Sequence, residues 1–172
     1  GGAGDDIIYG AQEYTSQIHG GAGNDTILFS KGEVASNKWA YVYGGAGDDT
    51  ITSSRGQLAS NRWTSIDGGD GNDTITSSTT LGTTNNSIYG GNGDDIINAG
   101  DGDYRIYGDT GNINNGRTDW WWNHYGIKEY SKGGNDTITA GAGNDSIWGG
   151  YGDDIINAGD GDNTVYGGDG ND

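Results

Sequence analysis

Aspartate recurs at one fixed place in a glycine-rich frame along this chain. "GGAGDDIIY" begins at Gly1, "GGAGNDTIL" at Gly20, "GGAGDDTIT" at Gly44, "GGDGNDTIT" at Gly68 and "GGNGDDIIN" at Gly90. "AGAGNDSIW" follows from Ala140 and "GGYGDDIIN" from Gly149. The common form is G-G-x-G-x-D-x-U-x, where U is a large aliphatic residue. Position six places carboxylates at Asp6, Asp25, Asp49, Asp73 and Asp95, then at Asp136, Asp145, Asp154 and Asp172. Glycines permit positive φ and close backbone approach, so a loop built on them can turn its carbonyls inward. Those at positions two and four are Gly2, Gly4, Gly21, Gly23, Gly45, Gly47, Gly69, Gly71, Gly91, Gly93, Gly141, Gly143, Gly150 and Gly152. Carboxylates and backbone carbonyls together suit calcium, which takes six to eight oxygens at ~2.3–2.6 Å. Aspartates that only make Asx-turns would satisfy the loops, but would not explain the aliphatic residue recurring two positions later. At position five, Asp5 and Asp48 alternate with Asn24 and Asn72, which suits a role in shaping the loop rather than an essential charge.

These nonapeptides resemble the RTX (repeats-in-toxin) family, the hemolysin-type calcium-binding repeats of secreted bacterial proteins. The resemblance covers both ends of the chain and is interrupted by insertions. It implies an all-β fold, a right-handed parallel β-roll (β-solenoid) with two nonapeptides per turn and calcium between the loops of successive turns. It also implies a secreted, extracellular setting at the bacterial cell surface.

The elements that must hold the loops are short strands. In each nonapeptide the last three residues place one aliphatic side chain inward and its neighbours outward. The glycine pairs at 20, 44, 68 and 90 are spaced by 24, 24 and 22 residues, not by the 18 of a regular roll. Between them lie second strands around Ile18, Val42, Ile66 and Ile88. Each turn of the first half therefore has one calcium-type loop and one longer loop without the motif, which predicts a one-sided calcium column. On the opposite edge, "FSKGEVASNKW" (29–39) and "SSRGQLASNRW" (53–63) share a pattern, which stacks Trp39 near Trp63 and Val34 near Leu58. That edge reads as a hydrophobic ladder without metal, or as an aromatic strip for a sugar or protein. The 18-residue step returns after Gly90, where the second loop of each pair has Tyr104 or Asn163 in place of the position-six aspartate. The expected organisation is a roll over 1–107, an aromatic insertion over 108–132 after the degenerate loop "GDTGNI", and a continuing roll over 133–172.

Composition supports the metal. The chain has 172 residues, 37 glycines, 30 % hydrophobic residues, no cysteine and a formal charge of −17. Low hydrophobicity with high net charge ordinarily gives disorder, and no disulfide can supply the missing stability. About seven or eight calcium ions by loop pairing would add roughly +14 to +16 and leave the folded chain almost neutral. The acidity excludes nucleic acid, whose phosphates need a basic surface. No apolar run approaches the ~20 residues of a membrane-spanning helix. The chain shows no signal peptide, does not begin with methionine, and reads as a processed product or excised segment.

No nucleophile–base–orienter set is present, and the only histidines are His19, an exposed spacer at a strand end, and His124. The leading function is therefore non-catalytic: a calcium-folded structural module of an adhesin, stalk or fibre, with end-to-end self-association. The alternative is a glycan- or protein-binding module that uses the aromatic insertion. Trp120, Trp121 and Trp122 cannot share one face of a regular backbone. At least one is expected to pack on the roll and another to stay accessible beside His124 and Tyr125 as a ligand contact. A secretion or folding segment of a secreted enzyme ranks below these. So does ice binding by the threonines of "TIT", whose array is interrupted by Ile96, Asn98, Ile155 and Asn157.

Overall fold

The computed structural model describes residues 1–12, 16–31, 39–54, 63–77, 86–109 and 133–172. The described residues form strands and no helix. One sheet contains β1 (Ile7–Gln12), β3 (Thr26–Lys31), β5 (Thr50–Ser54), β7 (Thr74–Ser77), β9 (Ile96–Ala99), β11 (Thr137–Thr139) and β13 (Ile155–Asn157). The other contains β2 (Ser16–Ala22), β4 (Trp39–Ala46), β6 (Trp63–Asp70), β8 (Asn86–Asn92), β10 (Tyr104–Asp109), β12 (Ser146–Tyr151) and β14 (Thr164–Asp169). Odd and even strands segregate completely and neighbours in each sheet are parallel, so the chain coils as a two-sheeted β-solenoid, a β-roll.

Register explains why so little apolar surface suffices. Ile8, Ile27, Ile51, Ile75, Ile97, Ile138 and Ile156 lie opposite one another along the first sheet. Ile18, Val42, Ile66, Ile88, Ile106, Ile147 and Val165 do the same in the second. Most of these are fully buried between the sheets, so one β-branched residue per strand, joined by Phe29, Ala99, Tyr104 and Ala140, builds the core. Tyr104, standing where position six would carry aspartate, is buried in that core with its hydroxyl 3.3 Å from the Ser77 hydroxyl. An aromatic ring fills the interior where a ligating carboxylate would otherwise stand.

The outer rows differ between the sheets. On the first sheet Thr50, Thr74 and Thr137 share a row with Ile96 and Ile155, the interrupted array seen in the sequence. On the second, His19, Tyr43, Asp67, Tyr89, Tyr107, Trp148 and Tyr166 form one file. Trp39 pairs with Trp63 in register, as the matching loops predict. Val34, Leu58, Trp120, Trp121, Trp122, His124 and Tyr125 lie outside the described residues, and so do the expectations placed on them.

Candidate metal column

The position-six aspartates form a continuous file on one edge of the roll. From Asp6 to Asp154 each immediately precedes an odd strand, and from Asp25 to Asp172 each Oδ1 accepts the backbone N–H of the equivalent residue one rung earlier. Asp6 N–H donates to Asp25 at 2.8 Å, Asp25 to Asp49 at 2.7 Å, Asp49 to Asp73 at 2.7 Å and Asp73 to Asp95 at 2.8 Å. The file continues from Asp95 to Asp136 at 2.8 Å, Asp136 to Asp154 at 2.8 Å and Asp154 to Asp172 at 3.2 Å. Thus Asp136, Asp154 and Asp172 extend the column of the first half. Asp145 stands apart on the opposite edge, where its Oδ1 accepts from Tyr104 N–H at 2.8 Å. Asp145 N–H in turn donates to Asn163 at 2.8 Å, so an amide replaces the next carboxylate there.

With Oδ1 committed, Oδ2 is left over. The Oδ2 atoms of Asp25, Asp49, Asp73, Asp95, Asp136, Asp145 and Asp154 are all buried without a hydrogen-bond partner. A buried, unpaired carboxylate oxygen is costly, by several kcal/mol or more if charged. These oxygens sit beside backbone oxygens. A Cβ built on Gly20 would collide with Asp25 Oδ2 and the Gly44 carbonyl oxygen. The same pair of oxygens recurs at Gly44, Gly68, Gly90, Gly108 and Gly149. The first glycine of each pair is therefore part of the cradle, beside the position-two and position-four glycines singled out in the sequence.

Those other glycines serve the stacking. Gly21, Gly45, Gly69 and Gly91 have φ between +120° and +131°, and a Cβ on each would strike the carbonyl of the equivalent glycine one rung earlier. Gly4, Gly23, Gly47, Gly71, Gly93, Gly143, Gly150 and Gly152 are also left-handed, whereas Gly2 and Gly141 are not among the positive-φ glycines. Position five behaves as a loop-shaping ladder. Asn24 N–H donates to Asp5, Asp48 to Asn24, Asn72 to Asp48 and Asp94 to Asn72, at 2.8–2.9 Å. Asn135, Asp153 and Asn171 extend the same ladder without breaking the Asp–Asn alternation.

Burial pushes the carboxyls of the file upward. Asp49 rises to about 6, Asp73 to about 8, Asp95 to about 9 and Asp136 to about 8. Desolvation is the largest cause in each case; the backbone N–H they accept lowers the value, and neighbouring carboxylates raise it. Asp145 and Asp154 shift the same way for the same first reason. A dication set among them reverses this, because it stabilises the ionised form. Among the described residues no three acidic or histidine side chains converge on one point. Each cradle instead combines carboxylate with backbone carbonyl, a hard oxygen set that fits calcium and offers no soft ligand.

A model of the RTX calcium-binding nonapeptide repeat matches residues 1–13, 16–33, 41–57, 65–78, 81–112, 130–165 and 148–172. The chain belongs to this family. RTX repeats bind calcium, and their β-roll is a structural repeat. No curated protein and no solved structure matches the chain.

Two features of this RTX roll escaped the sequence reading. One is the outer aromatic file: Tyr89 stacks on Tyr107 at 5.0 Å, Tyr107 on Trp148 at 4.7 Å and Trp148 on Tyr166 at 5.8 Å. Its signal was present in the residues after the inward aliphatic of "SIY", "RIY", "SIW" and "TVY". The other is Asp67, which occupies the same file between Tyr43 and Tyr89. It is 1 % exposed, and its Oδ1 has no hydrogen-bond partner.

Proposed function

We propose that this RTX chain is a non-catalytic, calcium-folded structural module of a secreted bacterial protein, such as an adhesin, stalk or fibre. The observation that carries the reading is the file of buried Oδ2 atoms without partners. They make the fold unfavourable until a cation joins them, and binding free energy then becomes folding free energy. Extracellular modules of this kind bind calcium at about 10⁻⁴–10⁻³ M, which suits a chain that stays unfolded inside the cell and folds outside it. The eight carboxylates from Asp6 to Asp172 leave seven gaps between rungs, and Asp145 adds one candidate on the other edge, so the reading includes about seven or eight ions.

Counting bound calcium by native mass spectrometry tests the reading. The count should reach seven or eight, and Asp49→Ala should lower it and weaken the remaining uptake, because Asp49 joins two neighbouring cradles. An unchanged count in Asp49→Ala would contradict the assignment. A glycan-binding reading draws support from the aromatic file. From Tyr89 to Tyr166, however, its rings stack nearly parallel on one another, with interplanar angles of 6–15°. Their faces are spent along the roll, which favours stiffening of the rod over stacking on sugar.

A further inference from the structure

The structure carries a repeat that no contiguous motif reveals. Gly108 belongs to β10, whereas Asp136 precedes β11 beyond residues 110–132. Yet a Cβ on Gly108 would collide with Asp136 Oδ2 and the Gly149 carbonyl, the signature of positions one and six in every other cradle. Gly134 fills position four, since its Cβ would strike the Gly93 carbonyl, as that of Gly152 would strike the Gly134 carbonyl. Asn135 fills position five, donating to Asp94 at 2.7 Å and accepting from Asp153 at 2.7 Å. Gly133 meets Asp109 and the Tyr151 Cβ, which places it at position three. The nonapeptide is thus Gly108–Asp109 joined to Gly133–Thr139, split between positions two and three. The loop "GDTGNI", degenerate as a contiguous motif, contributes its first two residues to one assembled across the insertion, with Asp109 in place of the position-two glycine.

Asp109 occupies the break. In unbroken rungs the position-four N–H donates to the position-three carbonyl of the next rung: Gly23 to Ala46 at 2.7 Å, Gly47 to Asp70 at 2.7 Å, Gly152 to Asp169 at 2.9 Å. The position-three N–H donates to the position-two carbonyl of the rung before, as Ala22 does to Gly2 at 2.9 Å. At the split, both donors turn to one side chain. Gly134 N–H donates to Asp109 Oδ1 at 3.3 Å, and Tyr151 N–H donates to Asp109 Oδ2 at 2.6 Å. Asp109 is 4 % exposed, so these bonds are made away from water. Its carboxylate stands in for the Tyr151 and Asp109 backbone carbonyls that would accept these two N–H groups in an unbroken rung.

We propose that the split repeat holds a calcium ion of its own, assembled across the insertion, and that Asp109 is the positioning residue that closes it. This rests on the calcium reading above and deepens it. The ion ties Asp136 on the returning stem to Gly108 on the departing stem. Calcium therefore clamps together the two ends of the segment 110–132, which carries the tryptophan triplet, and the column runs unbroken past it.

The absence of cysteine allows a direct test. Thr110→Cys and Lys132→Cys, introduced together and spin-labelled, report the separation of the stems, and native mass spectrometry reports the ion count. In calcium the labels should give one short distance, which broadens in chelator. Adding Asp109→Ala should remove one calcium per chain and broaden the distance in calcium, while the circular dichroism spectrum stays β-rich. Tyr9→Ser, on the exposed face of β1 and several strands from the split, should leave the distance short. Should Asp109→Ala fail to fold, Asp109→Asn retains one acceptor oxygen and carries the same comparison, with a loss of affinity at one site. An unchanged ion count and an unchanged distance in the Asp109 variant would overturn the clamp. A parent chain that takes up no calcium would overturn the functional reading itself.

Discussion

At the scale of single residues, the two kinds of buried carboxylate call for different treatment. Seven of the nine position-six aspartates retain a buried, unpaired Oδ2, which a dication satisfies. Asp67 is not one of them. It stands on the outer file of the second sheet, and burial, with a smaller contribution from Asp70, pushes its pKa up to about 7. Its ordinary value is near 3.9. The folded state therefore binds the Asp67 proton more tightly than the unfolded state. The resulting stability is fully present below about pH 4 and is lost as the pH rises toward 7. Asp67→Asn removes the charge without changing shape. We expect it to raise the melting temperature of the calcium-loaded protein at pH 8 by several degrees, on the order of a few kcal/mol, and to raise it by less at pH 6. A melting temperature lowered at pH 8 would show that Asp67 is held as a carboxylate by a partner.

At the scale of elements, each loop is held by side chains that copy backbone bonds from rung to rung. Position five alternates Asp and Asn without exception from Asp5 to Asn171, and the opposite edge repeats the rule in Asp103, Asn144 and Asp162. Either residue can accept the next rung's N–H, but a run of Asp would set carboxylates on adjacent rungs, which lie about 4.8 Å apart, and alternation avoids this. Asn72→Asp would set three carboxylates in a row with Asp48 and Asp94. It should lower stability in low salt by roughly 0.5–1 kcal/mol, with recovery in high salt, as thermal melts at two ionic strengths would register. Much of this was legible beforehand: the nonapeptide, the inward aliphatics, the file of position-six carboxylates and the Trp39–Trp63 register all follow from periodicity. The split repeat was not, because Gly108 and Asp136 are neighbours only in space, and no sequence period links them. Asp67 and the outer aromatic file were missed for a related reason. Position in a stack decides whether an outward residue meets solvent or another ring, and a single strand does not carry that information.

At the scale of the whole molecule, a charge of −17 and a core of one aliphatic residue per strand leave the roll dependent on its cations. Protons and calcium compete for the same oxygens. Because the folded carboxyls of Asp49, Asp73, Asp95 and Asp136 lie at about 6 to 9, above their unfolded values, the calcium-free roll gains stability as the pH falls through that window. Calcium needs those groups ionised, so its midpoint concentration should rise as the pH is lowered from 9 to 6. The central claim, that calcium folds the chain, is tested most directly by far-ultraviolet circular dichroism at neutral pH during a calcium titration from excess chelator. The account predicts a disordered spectrum in chelator, a cooperative change to a β-rich one at about 10⁻⁴–10⁻³ M calcium, and no such change with magnesium at the same concentration. A β-rich spectrum that persists in excess chelator would contradict it.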